Sequence, residues 1–196
     1  WRYLVSDNAL NAAPVVDGNM VYIGHGEESP DTNVQGRVVC LDASQIKNGE
    51  PKPVWKQDAI IARYASPIVH DGKLYVPDEG GRLYCLDTKD GKTIWKDNFG
   101  RGVVRGSPVL ADGKIYAGEV SAHFHILDPN SKKKKKTIDS MFFAGAGGVD
   151  VEVNGSPAVA NGKVYLTTSE ETICIGTKEG AAGKPPSEPA VAAKPG

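Results

Sequence analysis

The chain has 196 residues, of which 40% are hydrophobic and 24% charged, with a formal net charge of −1. That balance is ordinary for a globular protein, and its neutrality excludes a dedicated nucleic-acid binder. No apolar run approaches the roughly 20 residues that a membrane helix needs, so no membrane span is expected.

Residues 1–5, Trp1-Arg2-Tyr3-Leu4-Val5, read as a lone outer strand without its sheet. Residues 11–57 carry four short apolar runs, with insertions at 24–35 and 44–53. Residues 65–98 hold the cleanest unit. Pro67-Ile68-Val69 is followed by the turn Asp71-Gly72, and Leu74-Tyr75-Val76 by Asp78-Glu79-Gly80-Gly81. Leu83-Tyr84-Cys85-Leu86 is followed by Asp90-Gly91, and Thr93-Ile94-Trp95 closes the unit. Asp-Gly and Gly-Gly supply the positive φ angles of tight hairpins, so four strands form one meander.

Residues 106–143 repeat the unit less regularly. Lys132–Lys136 fill the turn where Asp90-Gly91-Lys92 stands, and Ile138 or Met141-Phe142-Phe143 is expected to pack in place of a tryptophan. Residues 155–176 stop after three strands. Residues 177–196 are Gly, Ala, Pro, Lys and Glu with little else, and a disordered tail is expected there.

The repeat is fixed by position. A small residue and a proline open each copy at Ala13-Pro14, Ser66-Pro67, Ser107-Pro108 and Ser156-Pro157, and Tyr22, Tyr75, Tyr116 and Tyr165 each follow the proline by eight residues. The third strands end Cys40-Leu41-Asp42, Cys85-Leu86-Asp87, Ile126-Leu127-Asp128 and Cys174-Ile175-Gly176. Cys40, Cys85 and Cys174 share that place and read as small core residues, not as a disulfide or metal set. A four-stranded repeat of about 40 residues points to an all-β chain, a β-propeller of four-stranded antiparallel blades, over residues 1–176. One blade cannot cover its own apolar faces, so blades must stack, with Trp55 and Trp95 as wedges between them. About four blades are present. The expectation is part of a larger ring, which as an open arc would self-associate; a closed four-bladed ring completed by residues 1–5 is the second reading.

The pattern Ser66-Pro67, Asp71-Gly72-Lys73, Tyr75, Gly81-Arg82-Leu83-Tyr84-Cys85-Leu86-Asp87, Asp90-Gly91-Lys92 and Trp95 resembles the pyrroloquinoline-quinone-like propeller repeats. These occur in quinoprotein dehydrogenases and in the outer-membrane assembly-factor lipoprotein. The resemblance implies an exported protein, periplasmic or at the cell surface, and a protein partner is expected of such a scaffold. The family's catalytic members sandwich the quinone between a tryptophan and a disulfide of adjacent cysteines, hold calcium with Glu and Asn, and use an Asp base. This chain has no adjacent cysteine pair, and the repeat accounts for its tryptophans. The expectation is a non-catalytic scaffold without a cofactor. Pyrroloquinoline quinone and calcium belong only to the alternative, a fragment of a quinone-dependent dehydrogenase; a sugar or peptide binder is the third reading.

In such blades the loops between strands 2 and 3 share one face of the disc with the connections to the next blade. The 2–3 loops put Glu27, Glu28, Asp31, Asp78, Glu79, Glu119, Glu170 and Glu171 on that face, where acids outnumber bases, while lysines dominate the other. An acidic face can orient a charged partner. Asn11, Tyr64, Arg105 and Asn154 each stand three residues before the opening proline, at the mouth of the central channel. With Arg63 and Arg101 nearby, Arg105 is a candidate to hold a carboxylate or phosphate. His123 and His125 lie on one side of a strand near Glu119, a weak candidate metal pair lacking further ligands. No Ser-His-Asp set is recognisable, and no catalytic residue is expected.

Overall fold

The computed structural model describes residues 1–176, so the tail expected at 177–196 lies outside the described residues. The chain is all-β, with a single three-residue 3-10 turn at Ala146–Gly148 among the described residues. Blade 1 comprises β1 (Val15–Asp17), β2 (Met20–His25), β3 (Arg37–Lys47) and β4 (Glu50–Asp58). Blade 2 comprises β5 (Ile68–His70), β6 (Lys73–Pro77), β7 (Arg82–Asp87) and β8 (Thr93–Asn98). Blade 3 comprises β9 (Val109–Ala111), β10 (Lys114–Gly118), β11 (His123–Leu127) and β12 (Thr137–Phe142). Blade 4 has β13 (Ala158–Ala160), β14 (Lys163–Thr167) and β15 (Thr172–Ile175). Each sheet is a simple antiparallel meander.

Local chemistry explains the meander. Asp71-Gly72, Asp112-Gly113 and Asn161-Gly162 all have positive φ at both turn residues, which is the tight hairpin geometry that matches strand twist. The aspartate that follows Leu41, Leu86 and Leu127 folds back on the backbone just after it. Asp42, Asp87 and Asp128 accept from the backbone N–H two residues on, at 2.9, 2.8 and 2.9 Å. Each of these blades also has a bulge at one place, so Val54, Ile94 and Ile138 are the extra residues on the outer strands. All three are exposed, which explains why Ile138 does not replace a tryptophan. Asp139 takes the register position of Trp55 and Trp95, opposite Ile126. Met141 and Phe143 pack instead against Phe124, Val153 and Leu166, whereas Phe142 is exposed.

Blades stack through their faces. Tyr22, Cys40 and Trp55 of blade 1 pack against Leu74, Val76 and Leu86 of blade 2. Tyr75, Leu83 and Cys85 of blade 2 pack against Ile115, Ala117 and Leu127 of blade 3. Phe124 of blade 3 packs against Val164 and Leu166 of blade 4. The two wedge tryptophans are braced alike, with Tyr22–Trp55 and Tyr75–Trp95 ring centroids 6.0 and 5.9 Å apart. Cys40 and Cys85 are buried free thiols, which burial pushes up to about 11, whereas Cys174 is exposed on blade 4.

A second device ties the blades near the axis. Ala13 N donates to Ser66 Oγ, Ser66 N to Ser107 Oγ, and Ser107 N to Ser156 Oγ, at 2.8, 2.8 and 2.9 Å. The serine before each opening proline is therefore a staple to the preceding blade.

Residues 1–5 carry no strand, which corrects the expectation of a lone outer strand. Tyr3 and Val5 lie instead across blade 1, against Val21, Val39 and Leu41 on the face turned away from blade 2. Among the described residues that face has no neighbouring blade, so the segment gains more by covering apolar side chains than by extending without a partner strand. No core cluster among the described residues joins blade 4 to blade 1. Ala13 has no hydroxyl to continue the staple in that direction. Within the described residues the blades thus form an open row, and the innermost residues Val16 and Val159 are exposed. No helix among the described residues is long and apolar enough to cross a membrane.

Candidate functional site

The 2–3 loops and the connections between blades meet on one face. Glu79 N donates to Ile61 O, Val120 N to Val103 O and Ser169 N to Glu152 O, the same contact in three successive blades.

Four of the eight candidate acids on this face are held by cations of the chain itself, and a fifth, Glu119, by a histidine. Arg63 donates Nε to Glu79 Oε2 at 2.6 Å and Nη1 to Glu27, bridging the loops of blades 1 and 2. Arg37, almost fully buried, takes Asp58 and Asp31 at 2.5 Å each, and Lys56 Nζ lies 2.6 Å from the other Asp31 oxygen. The bonds from Lys56 and Arg37 hold the Asp31 carboxyl down at about 2. Asp78 has no exposed side-chain surface. Its Oδ1 accepts from Gly80 N at 2.8 Å, and its Oδ2 stands 2.7 Å from Arg82 Nη2 as an off-axis ion contact. Glu119 is paired with His125. Glu28, Glu170 and Glu171 are exposed and meet no cation among the described residues. The face is therefore much less negative than its residue list implies, because turn-loop carboxylates were recruited to lock loops together.

Three of the four channel-mouth candidates come together. The Arg105 guanidinium sits 5.9 Å from the Tyr64 ring centroid, and its Nη1 donates to Asn154 Oδ1 at 3.0 Å. Asn154 Nδ2 donates to Glu152 Oε2 at 2.8 Å. The positions three residues before each proline thus form a chain across blades 2, 3 and 4, with Arg105 and Asn154 exposed. Asn11 is exposed in blade 1 and makes no side-chain hydrogen bond among the described residues. Arg63 is spent on its two glutamates. Arg101 contributes its backbone N–H to Glu119 at 3.1 Å, while its side chain is exposed.

The histidine pair does not converge on a metal position. His125 Nε2 is 2.5 Å from Glu119 Oε1 and its Nδ1 is 2.8 Å from Ser140 Oγ, so both ring nitrogens are engaged. His123 stacks on His125 and contacts Ser121 through Nδ1. Among the described residues no three His, Cys, Asp or Glu side chains are placed to hold a metal ion. The Ser140–His125–Glu119 row was missed in the sequence, where fifteen residues separate Ser140 from His125. The signal was the hairpin register, which sets the two directly opposite each other.

The sequence model of the family described as outer membrane protein assembly factor BamB matches residues 4–97 and 52–189. The chain belongs to this family of PQQ-like repeats. Among solved structures, BamB from Moraxella catarrhalis is 18% identical with a TM-score of 0.62, over 86% of this chain and 47% of its own. Quinohemoprotein alcohol dehydrogenase from Comamonas testosteroni is 18% identical with a TM-score of 0.63, over 84% of this chain and 30% of its own. The computationally designed Ika4 protein is 12% identical with a TM-score of 0.59, over 91% of this chain and 99% of its own. These likenesses establish the propeller fold. The chain spans about half the length of the BamB structure and under a third of the dehydrogenase. No curated protein is similar to the chain in sequence at a significant level.

A PQQ-like repeat raises the question of a quinone, and the described residues do not fit one. The indole of Trp55 lies against the Gly91 backbone and donates to Thr88 O at 2.9 Å. Trp95 is flanked by Tyr75 and by the Lys136 ammonium 5.2 Å from its ring. Both indoles are engaged in contacts between blades. Cys40 and Cys85 lie in different blades, so they cannot supply a disulfide of adjacent cysteines.

Proposed function

We propose that the chain is a non-catalytic propeller scaffold that holds a protein partner within an exported complex, periplasmic or at the cell surface, and that the contact lies on the face of the 2–3 loops. The observation that carries this reading is the Tyr64–Arg105–Asn154 chain at the channel mouth. It presents an exposed guanidinium, pre-oriented by an aromatic ring and an amide, on a face whose loops are cross-linked by ion pairs. A pre-organised loop surface loses little conformational freedom on binding, which favours recognition of a folded or extended protein segment. Membership of a family described as an outer membrane protein assembly factor supports an envelope address and a protein partner. The engagement of both wedge indoles in blade packing supports a role without a quinone.

The competing reading, a piece of a quinone-dependent dehydrogenase, is separated by titrating the purified chain with pyrroloquinoline quinone and calcium. The scaffold reading expects no saturable absorbance change and no dye reduction. A stoichiometric, saturable signal would replace it with the dehydrogenase.

A further inference from the structure

Blade 3 departs from the repeat at one cross-strand pair. In blades 1 and 2 the corresponding pairs are Val39 with Lys56 and Tyr84 with Lys96; in blade 3 the pair is His125 with Ser140. The repeat therefore folds without a histidine or a serine at this place. Burying a His–Glu pair where Val or Tyr suffices is a departure that packing does not require. His125 and Glu119 have side chains only 5% and 4% exposed, while Ser140 is exposed on the outer strand.

The site is built from its far end. Glu119 Oε2 accepts backbone N–H groups from Arg101, at 3.1 Å, and Gly102. Gly100 cannot carry a side chain here, since a β-carbon would fall 1.9 Å from Glu119 Oε1. Burial alone would raise the Glu119 carboxyl, but the bonds from His125 and the Gly102 N–H outweigh it and leave it below its ordinary value. An ionised Glu119 only accepts, so His125 must carry its proton on Nε2. Nδ1 then offers its lone pair to Ser140, whose hydroxyl donates at 2.8 Å. Such a set is recognised by geometry and roles; here Nδ1 faces the serine and Nε2 the carboxylate. Two residues along the same side of β12 stands Phe142, 57% exposed and 5.0 Å from the His123 ring, an apolar surface the blade leaves in solvent.

We propose that Ser140, His125 and Glu119 form a relay that makes Ser140 a nucleophile toward esters with an apolar acyl group, which would rest on Phe142. The Ser140 Oγ–carbonyl carbon bond forms as the hydroxyl proton passes to His125 Nδ1. The carbon–oxygen bond to the leaving alcohol then breaks, and that proton leaves with the alcohol. Water, deprotonated by the same nitrogen, releases the carboxylic acid and restores the serine. Glu119 is a positioning residue: it holds the imidazole and its tautomer without touching substrate. This activity would set aside the non-catalytic part of the scaffold reading and leave its partner contact untouched, because the relay lies between the two outer strands of blade 3 and Tyr64, Arg105 and Asn154 take no part in it.

The test uses the purified chain, p-nitrophenyl butyrate and a long-chain alkyl fluorophosphonate. The expected result is a single phosphonyl adduct on Ser140 by peptide mass spectrometry, absent in Ser140→Ala. Ser140 is exposed, so the substitution leaves the core packing in place, and the circular dichroism spectrum of the variant checks that it is folded. His125→Gln should slow labelling about 100-fold or more, the usual size of a general-base contribution. Glu119→Gln should lower the labelling rate at saturating probe without weakening probe binding, which a purely structural role would not separate. Phe142→Ala should reduce the preference for butyrate over acetate ester. Labelling spread over several surface serines, or equal labelling of Ser140→Ala, overturns the proposal.

Discussion

The indole of Trp55, on the outer strand of blade 1, lies on Gly91 in the turn of blade 2: a β-carbon on that glycine would stand 2.6 Å from the ring. The same indole donates to Thr88 O at 2.9 Å, so one side chain fills and hydrogen-bonds the next blade. Gly91 also has φ +73°, which disfavours any other residue. Gly91→Ala should therefore destabilise by about 1–3 kcal/mol through overpacking. Trp55→Ala should cost about 3–5 kcal/mol by leaving a cavity between blades. Urea midpoints of the two variants check both figures.

The serine staple makes a separate prediction. Ser107→Ala removes the acceptor for Ser66 N while leaving both strands in place. The cost should be about 1 kcal/mol, and exchange of the Ser66 amide should accelerate more than that of strand amides in β6 and β7. Hydrogen exchange followed by mass spectrometry reads this directly.

Arg63 bridges Glu27 and Glu79 from different blades. Arg63→Met leaves two carboxylates facing each other without their cation, at a cost of about 1–3 kcal/mol. Lysine at this position cannot take both carboxylates in a fork, so it should recover only part of the loss. Thermal midpoints of the three proteins test the order Arg above Lys above Met.

Acid sensitivity follows from two buried groups. His25 is held below its ordinary 6.5 by burial and by the charge of Arg37. The unfolded chain binds that proton more readily, so the His25 contribution is full above pH 6.5 and is lost as pH falls below it. Glu119 is also depressed below its ordinary 4.5, and its contribution is lost as pH falls through that lowered value. Stability should decline in two stages on acidification. His25→Leu should remove the earlier stage in a urea-midpoint series from pH 7.5 to 4.

Much of the fold was legible because turn chemistry is local. Asp71-Gly72 and Asp90-Gly91 announced their turns, and the tyrosine eight residues past each proline marked the second strand. The Ser-Pro openings were legible as positions but not as staples, because their partners lie 41 to 53 residues away. Trp1–Val5 looked like a strand because its residues are β-formers, yet a strand needs an edge to pair with. The acids of the 2–3 loops were countable, but Arg37 and Arg63 had already been committed to them in three dimensions. Exposed Glu28, Glu170 and Glu171 and the Arg105 chain are what remains for a partner.

The direct measurement of that remaining surface is photocrosslinking in cells that express the chain. A photoreactive amino acid is placed singly at Tyr64, Glu28 and Glu170 on one face, and at Lys89 and Lys132 on the other. The scaffold account predicts a crosslink to one and the same protein from the first three positions and none from the two lysine positions. Crosslinks confined to the lysine face, or none from Tyr64, Glu28 and Glu170, would contradict it.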